Sequence, residues 1–240
     1  MKDLSWLSRT EALIGREAIE KLTNAHVMVL GLGGVGSFAA EFIVRSGVGS
    51  LTIIDGDTVD PSNRNRQLPA LATNHGEPKA QIMKERLLAI NPELKLQVIQ
   101  EFVLPESIPG LLEKKPDYCI EAIDSITPKL FFIRHALESG IPFVSSMGAG
   151  GKIDPTKLKV SDIGQTYNCK LALHIRKKLK KHGIRNGVKV VFSTELPNKS
   201  SLLYTDGSNY KKSAYGTMSY LPAAFGGTLA SVAIQDLIGD

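Results

Sequence analysis

Cationic and amide side chains follow a short apolar segment in the first third of the chain. Asn63, Arg66 and Gln67 lie close together in the sequence, and Lys79 follows further on. Asp124 comes directly after the apolar run at 118–123. Cations and amides aimed at one ligand suit a triphosphate, whose charge must be neutralised during group transfer. A lone carboxylate beside a triphosphate is typical of Mg²⁺, which proteins hold with one or two carboxylates plus phosphates. These residues predict a nucleoside triphosphate site with magnesium.

A glycine-rich turn is expected to position this nucleotide. An apolar run at 27–30 leads into GLGGVG at 31–36, a helical pattern follows, and the next apolar run ends on Asp55. Glycines let the backbone approach a phosphate, the helix N-terminus supplies N–H groups, and the acid can accept a ribose hydroxyl. The turn alone fits NAD(H) equally well, but the block at 63–67 and Lys79 favour ATP. A nicotinamide-binding oxidoreductase or a non-catalytic nucleotide sensor stays as a remote alternative.

Four stretches together resemble the ThiF/MoeB/HesA family, the adenylating enzymes related to ubiquitin activation. They are GLGGVG at 31–36, IIDGDTVDPSNRNRQ at 53–67, EPKAQ at 77–81 and AIDSITPK at 122–129. The resemblance implies an α/β, Rossmann-like fold with a mixed, mostly parallel sheet and helices on both faces. It also implies ATP-dependent adenylation of a carboxylate.

The resemblance further implies which residues meet the nucleotide. Asn63, Arg66 and Lys79 would hold the phosphates, and Asp124 would bind Mg²⁺. The catalytic residues would be Arg9, Arg66, Lys79 and Asp124. The residues expected at the nucleotide are Gly31, Gly33, Gly34, Gly36, Asp55, Asp57, Asn63, Arg66, Gln67, Lys79, Asp124 and Ser125.

An N-terminal arginine suggests that two subunits share the site. Arg9 matches the second arginine of a family motif that, in relatives, reaches into the neighbouring subunit's site, and this implies a homodimer. Trp6 stands where the family has the first arginine of that motif.

Within the family, the stretches 9–15, 145–163 and 191–195 resemble the branch that dehydrates threonylcarbamoyladenosine in tRNA. Relatives that activate ubiquitin-like sulfur carriers commonly hold zinc with two Cys-x-x-Cys pairs. This chain has two cysteines, Cys119 and Cys169, so it cannot build a four-thiolate zinc site. Cys169 lies roughly where some relatives carry a thioester cysteine, and that role stays open beside an incidental loop cysteine. A ubiquitin-like carrier substrate, a sulfur-transfer partner and a monovalent cation near the site also stay open.

Positive charge is concentrated in one segment of a chain whose net charge is +5. Residues 170–189 hold eight Lys or Arg and no acid, while Leu171, Ile175 and Leu179 recur at helical spacing. One stripe of this helix can pack while the other face meets RNA phosphates, although a merely solvated helix fits equally well. The candidates for contact with tRNA are Arg176, Lys177, Lys178, Lys180 and Lys181, and the surface could extend to Tyr210, Lys211, Lys212 and Tyr215.

The pattern of elements predicts one domain over residues 1–240, with a helical lead-in at 1–25, a nucleotide-binding core at 26–147 and a sheet extension with a closing helix at 148–240. The lead-in helix is expected at 11–22, capped by Ser8 or Thr10. Further helices are expected at 37–46, 78–90, 108–114, 128–139, 171–182 and 222–238, the last broken by Gly226-Gly227 and by Asp236. Strands are expected at 27–30, 51–54, 96–99, 118–123, 143–146, 188–193 and 202–204, with the last two extending the sheet.

Composition is consistent with an enzyme of the cytoplasm. With 42% hydrophobic residues, the chain can bury one large core, and its two cysteines suit a reducing compartment. The N-terminus lacks an apolar signal core, and no uninterrupted run of about twenty apolar residues predicts a membrane span. The helix at 222–238 is therefore expected to be a buried core helix.

Overall fold

The computed structural model describes residues 3–204 and 213–239. Its helices are α1 (Ser8–Ile14), α2 (Arg16–Asn24), α3 (Gly36–Arg45), α4 (Lys79–Ile90), α5 (Ile108–Leu112), α6 (Ile126–Ser139), α7 (Lys170–Lys181) and α8 (Tyr220–Ile238). Its strands are β1 (His26–Leu30), β2 (Ser50–Ile54), β3 (Lys95–Ile99), β4 (Tyr118–Glu121), β5 (Phe143–Ser146), β6 (Leu158–Asp162), β7 (Lys189–Ser193), β8 (Leu202–Tyr204) and β9 (Ser213–Tyr215).

Within these residues one sheet has seven strands in the order β3-β2-β1-β4-β5-β7-β6. All neighbouring strands run parallel except β6 and β7, which pair antiparallel. This mixed, mostly parallel sheet confirms the fold class that the sequence predicts. The strand order changes direction between β1 and β4, and ligands of open α/β sheets bind outside the carboxyl ends of the strands at such a point.

Both faces of the sheet are covered, which explains the continuous apolar runs in its strands. In β1, Val27 and Val29 pack in one core with side chains of α3, α4 and α8. Met28 and Leu30 alternate to the opposite face and pack with side chains of α5, α6 and α7. The sheet therefore lies between two layers of helices, and its strand ends are the open edges where polar side chains can collect.

The N-terminal helix prediction is wrong in two respects. The expected helix at 11–22 is two helices, because Gly15 between them has φ 82° and ψ 164°, a backbone conformation essentially restricted to glycine. The predicted caps are also absent: Ser8 is the first residue of α1, Leu7 is the N-cap, and no side chain caps this helix.

The C-terminal part differs from the prediction in three places. Leu158–Asp162 forms an unpredicted edge strand, and β8 pairs with β9 in a separate two-stranded sheet instead of extending the large one. The helix α8 is broken neither at Gly226-Gly227 nor at Asp236. A Cβ at Gly226 would lie 2.6 Å from the Val35 carbonyl oxygen, so this glycine allows α8 to pack closely on the start of α3.

Among the described residues, α8 is the one helix that is long and apolar enough to cross a membrane. Its side chains Leu221, Phe225 and Leu229 are fully buried in the core that α3 and the sheet share. At its C-terminal end, Asp236 accepts hydrogen bonds from Tyr118 Oη at 2.6 Å and Lys189 Nζ at 2.7 Å. The structure thus accounts for the apolar face of α8 by packing inside the fold, as the sequence predicts.

We expect a Glu41→Gln variant to be less sensitive to acid than the wild type. Burial raises the pKa of Glu41, but hydrogen bonds from Arg86 and Arg45 outweigh it and hold this pKa below its ordinary value. A depressed folded pKa stabilises the protein above the unfolded pKa of about 4.3, and this contribution is lost as the pH falls through the folded value. Both arginines are about half exposed, so the variant should lose roughly 1 kcal/mol or less at neutral pH.

Urea unfolding at neutral and at acid pH measures this effect. Glu20→Gln is the matched control, because Glu20 and Arg16 form an exposed pair on one helix. The interpretation fails if Glu41→Gln and the wild type lose stability equally on acidification.

Candidate functional site

The glycine turn after β1 is held so tightly that Gly31 and Gly36 leave no room for a side chain. Gly31 has φ 88°, and a Cβ at Gly36 would lie 1.8 Å from the Gly31 carbonyl oxygen. A Cβ at Gly34 would lie 3.1 Å from the Arg66 carbonyl oxygen, and one at Gly33 would lie 3.9 Å from Gln67 Nε2. The turn and the segment 63–67 therefore lie against each other, as the sequence predicts for one nucleotide site.

Asp55 fixes the turn from the end of the neighbouring strand. Its Oδ2 accepts a hydrogen bond from the Leu32 N–H at 2.6 Å, and its Oδ1 accepts one from the Asp57 N–H at 2.8 Å. Burial raises the pKa of Asp55, while these N–H groups and the Lys79 charge oppose the rise. The carboxylate thus organises the turn itself, in addition to the ribose contact that the sequence predicts.

Lys79 enters the same region from the first turn of α4. It is 3% exposed, its N–H donates to the Asp57 carbonyl at 3.0 Å, and its Nζ lies 2.8 Å from Asp57 Oδ2. A lysine this deeply buried must be paired or ligand-facing. The Lys79 charge also acts on the carboxylate of Asp55, which fixes the turn, so the ammonium group lies near the turn.

The segment 60–67 is folded by its own side chains. Asp60 and Asn63 form a reciprocal cap, in which Asp60 accepts from the Ser62 N–H and Asn63 Oδ1 accepts from the Asp60 N–H. This cap buries Asn63 and starts a turn that ends at Gln67. Gln67 Oε1 is buried without a hydrogen-bond partner, which is unusual for a polar atom and points to a ligand donor.

Arg66 and Asp124 are brought to the same place. Arg66 Nη1 donates to the Ser62 carbonyl and to Asn65 Oδ1, both at 2.9 Å. Burial lowers the pKa of Arg66, and the negative charges of Asp124 and Asp60 oppose this shift. The guanidinium therefore stands within electrostatic reach of the carboxylate that follows β4, although 58 residues separate them in sequence.

Asp124 and Ser125 lie in the link between β4 and α6, beside the end of β1. The Ala122 N–H donates to the Leu30 carbonyl at 2.9 Å, and Ala122 lies 3.1 Å from where a Cβ of Gly31 would stand. Asp124 is exposed and Ser125, the N-cap of α6, is buried. The glycine turn, Arg66 and Asp124 thus meet at the reversal point between β1 and β4.

The donor set at this edge fits magnesium held together with phosphates. Across residues 3–204 and 213–239, no three His, Cys, Asp or Glu side chains group together as a metal cage would require. An exposed carboxylate with an arginine nearby instead suits Mg²⁺, which one carboxylate can hold when phosphate oxygens supply further ligands.

Arg9 lies apart from these residues, exposed on α1, which packs against α2. Trp6, at the position of the missing family arginine, is 42% exposed. The family resemblance implies that Arg9 enters the site of a partner subunit, and that role stays a prediction.

The basic helix α7 has the expected two faces. Ala172, Ile175 and Leu179 are buried, whereas Lys177, Lys178, Lys180 and Lys181 are exposed. Arg176 differs from these lysines because its Nη1 donates to Thr166, with 2.6 Å to Oγ1. Tyr210, Lys211 and Lys212 lie outside the described residues.

Sequence reasoning missed a buried ion pair beside the site and one further buried lysine. Glu121 and Lys129 are fully buried and form an ion pair behind Asp124. Lys152 is 3% exposed and donates to the Ser193 carbonyl at 3.0 Å. The sequence did contain one signal of the ion pair, because Glu121 is a charged residue within an apolar strand.

Both cysteines are buried. Cys119 is inaccessible, and burial raises the pKa of its thiol far above the ordinary value. Cys169, the residue before α7, is 8% exposed and packs in the core.

Comparison with known proteins identifies the family of this chain. The ThiF family model matches residues 7–240. The tRNA threonylcarbamoyladenosine dehydratase of Bacillus subtilis (strain 168) is 45% identical over 194 residues, which are 81% of this chain and 76% of that protein. The crystal structure of Escherichia coli tRNA N6-threonylcarbamoyladenosine dehydratase in complex with ATP superposes with a TM-score of 0.89 at 36% identity, over 99% of this chain and 97% of that one.

A more distant relative acts on a protein. The sulfur carrier protein ThiS adenylyltransferase of Escherichia coli (strain K12) is 28% identical over 142 residues, or 58% of this chain and 56% of that protein. The family resemblance seen in the four sequence stretches is confirmed. The chain belongs to the ThiF family.

Proposed function

We propose that this protein uses ATP to adenylate the carboxylate of threonylcarbamoyladenosine in tRNA and then closes that side chain into a ring. The observation that carries the proposal is the meeting of Arg66, Asp124 and the glycine turn at the sheet's reversal point. The similarity to the Bacillus subtilis and Escherichia coli dehydratases supports the same substrate.

In the first step a carboxylate oxygen of the substrate attacks the α-phosphorus of ATP, and pyrophosphate leaves. The N–H groups of the turn and the start of α3 face the phosphates, and Arg66 and Lys79 offset the charge that develops. Asp55 keeps the turn in shape through its bond to the Leu32 N–H. Asp124 would hold Mg²⁺, which neutralises phosphate charge when it is bound.

In the second step a nitrogen of the same side chain attacks the acyl carbon and gives up its proton, AMP leaves with the carboxylate oxygen, and the ring closes. This attack is intramolecular, so proximity replaces an enzyme nucleophile. The burial of Cys119 and Cys169 supports this, because neither thiol is placed at the surface to receive an acyl group.

ATP–pyrophosphate exchange tests the proposal. We expect exchange with threonylcarbamoylated tRNA and none with unmodified tRNA. Exchange only with a ubiquitin-like carrier protein would establish the second candidate, which the relationship to the ThiS adenylyltransferase favours. Tight NAD(H) binding without ATP binding would contradict both. A cytoplasmic location belongs to this proposal as well.

We further expect a homodimer in which Arg9 completes the partner's site. Arg9 is exposed on a peripheral helix, so it is free to reach a second subunit. Mixing Arg9→Ala subunits with Asp124→Ala subunits should then restore about a quarter of the activity, since random exchange gives half hybrids with one intact site each. No recovery despite proven subunit exchange would place Arg9 in its own subunit's site or outside the chemistry.

The exposed lysines of α7 are expected to bind tRNA phosphates. Replacing them together with Glu should weaken tRNA binding by orders of magnitude and flatten the slope of log affinity against log salt by roughly 0.7–0.9 per lost contact. ATP binding should not change, because the nucleotide site is built from other elements. The four positions are Lys177, Lys178, Lys180 and Lys181.

The control is Lys95→Glu/Lys114→Glu. Both lysines are exposed and lie at the amino ends of strands, Lys95 at the start of the edge strand β3 and Lys114 shortly before the central strand β4. If the salt slope falls as much per charge in this control as in the α7 variant, the effect comes from net charge and α7 is only solvated.

A further inference from the structure

A completely buried ion pair joins β4 to α6 directly behind Asp124. Glu121 is the last residue of β4 and Lys129 lies in the first turns of α6, and neither side chain is exposed. Lys129 Nζ also donates to the Ser146 carbonyl at 2.8 Å, and Ser145 Oγ donates to Glu121 Oε2 at 2.5 Å. The pair takes no part in the chemistry proposed above. Its two charges are offset by each other and by hydrogen bonds with neighbouring groups.

Stability alone is a poor reason for such a pair. Taking two charges out of water costs much of what their attraction returns, and well-packed apolar replacements are often as stable or more so. The other oxygen of the carboxylate indicates a second role. Glu121 Oε1 accepts a hydrogen bond from the Ile123 N–H at 2.7 Å, which turns the chain out of the sheet immediately after β4.

The segment between β4 and α6 is short and is held by hydrogen bonds at both ends. Four residues, 122–125, connect β4 with α6. The link is bonded to β1 through the Ala122 N–H, to Glu121 through the Ile123 N–H, and to α6 through Ser125, whose carbonyl accepts from the Lys129 N–H at 3.3 Å. Asp124 is therefore carried by a link whose direction the buried pair determines.

We propose that the Glu121–Lys129 pair positions Asp124 toward Arg66 and the phosphates. Glu121 and Lys129 are positioning residues, because they act through the backbone of the link. The inference rests on the proposed function for the role of Asp124, and it adds which residues make that role possible.

Two double variants distinguish the effect of the pair's charges from the effect of the hydrogen bond between Glu121 and the Ile123 N–H. Glu121→Leu/Lys129→Met leaves no lone buried charge and removes the acceptor of the Ile123 N–H. Glu121→Gln/Lys129→Met also removes both charges but keeps an acceptor at this position. Thermal unfolding establishes that each is folded.

The full chain is then tested by hydrogen exchange of the peptide that contains 122–125 and by ATP affinity in Mg²⁺ and in EDTA. For Glu121→Leu/Lys129→Met we expect faster exchange in the link, ATP affinity in Mg²⁺ about 10- to 100-fold weaker, and unchanged affinity in EDTA. Glu121→Gln/Lys129→Met should stay near wild type in all three. Wild-type exchange and wild-type Mg²⁺ dependence in the folded Leu/Met variant would overturn the inference, as would equal losses in both variants.

An Asp124→Asn control distinguishes this inference from the proposed function. It should weaken ATP affinity in Mg²⁺ without faster exchange in the link. If Asp124→Asn leaves the Mg²⁺ dependence intact, the magnesium role in the proposed function is wrong, while the exchange comparison still decides whether the pair holds the link.

Discussion

Asp124→Ala and Arg66→Ala should each lower adenylation by a hundredfold or more while the protein stays folded. Asp124 is exposed, Arg66 is partly exposed, and neither side chain belongs to the two hydrophobic cores, so neither is needed for the fold. Both act on charge that develops at the phosphates, and losing one such group typically costs about 2.7–4 kcal/mol of barrier. The measurement is ATP–pyrophosphate exchange with threonylcarbamoylated tRNA, together with thermal unfolding.

Arg64→Ala is the matched control for Arg66. It removes an arginine from the same segment, but Arg64 is exposed and is not among the residues that the family resemblance assigns to the nucleotide. Near-wild-type exchange in Asp124→Ala or Arg66→Ala, with normal unfolding, would mean that the site is misplaced. An equal loss in Arg64→Ala would show that net charge, and not position, is responsible.

Gly36→Ala is expected to have the largest effect on the nucleotide turn. The added Cβ would lie 1.8 Å from the Gly31 carbonyl oxygen and 3.2 Å from the Ala122 Cβ, so the backbone must move. Overpacking of this kind costs about 3 kcal/mol or more in the free energy of unfolding when backbone is displaced. The same shift removes the N–H groups at the start of α3 from the phosphates, so ATP affinity should fall with stability.

Gly110→Ala controls for the general effect of adding a methyl group. Nothing lies within 4 Å of a Cβ at Gly110, its φ is not positive, and it lies in α5, where alanine is favoured by roughly 0.5–1 kcal/mol. Urea unfolding and calorimetry with ATP should therefore show a stable, binding-competent protein. A Gly36→Ala variant that matches this control would disprove the close contact across the turn.

Sequence alone determined the local parts of the site. The strand, glycine turn, helix and acid at 27–55 follow in order along the chain, and each is encoded within a few residues. The same holds for Lys79 at the start of α4 and Asp124 after β4, because apolar runs and helical spacing report where an element ends. The two-faced helix α7 also follows from spacing alone.

The tertiary structure decided what depends on partners distant in sequence. The strand Leu158–Asp162 is half exposed and antiparallel at the sheet edge, so it lacks the apolar run that marks a buried strand. The start of α3 packs so closely on α8 that only glycine fits at position 226, and the helical pattern of the sequence does not show this contact. Glu121 and Lys129 each look misplaced in an apolar segment, and only the packing of β4 against α6 shows that they pair. A pattern reports which face of an element is apolar, whereas the strand order and the contacts it creates arise only when the whole chain has folded.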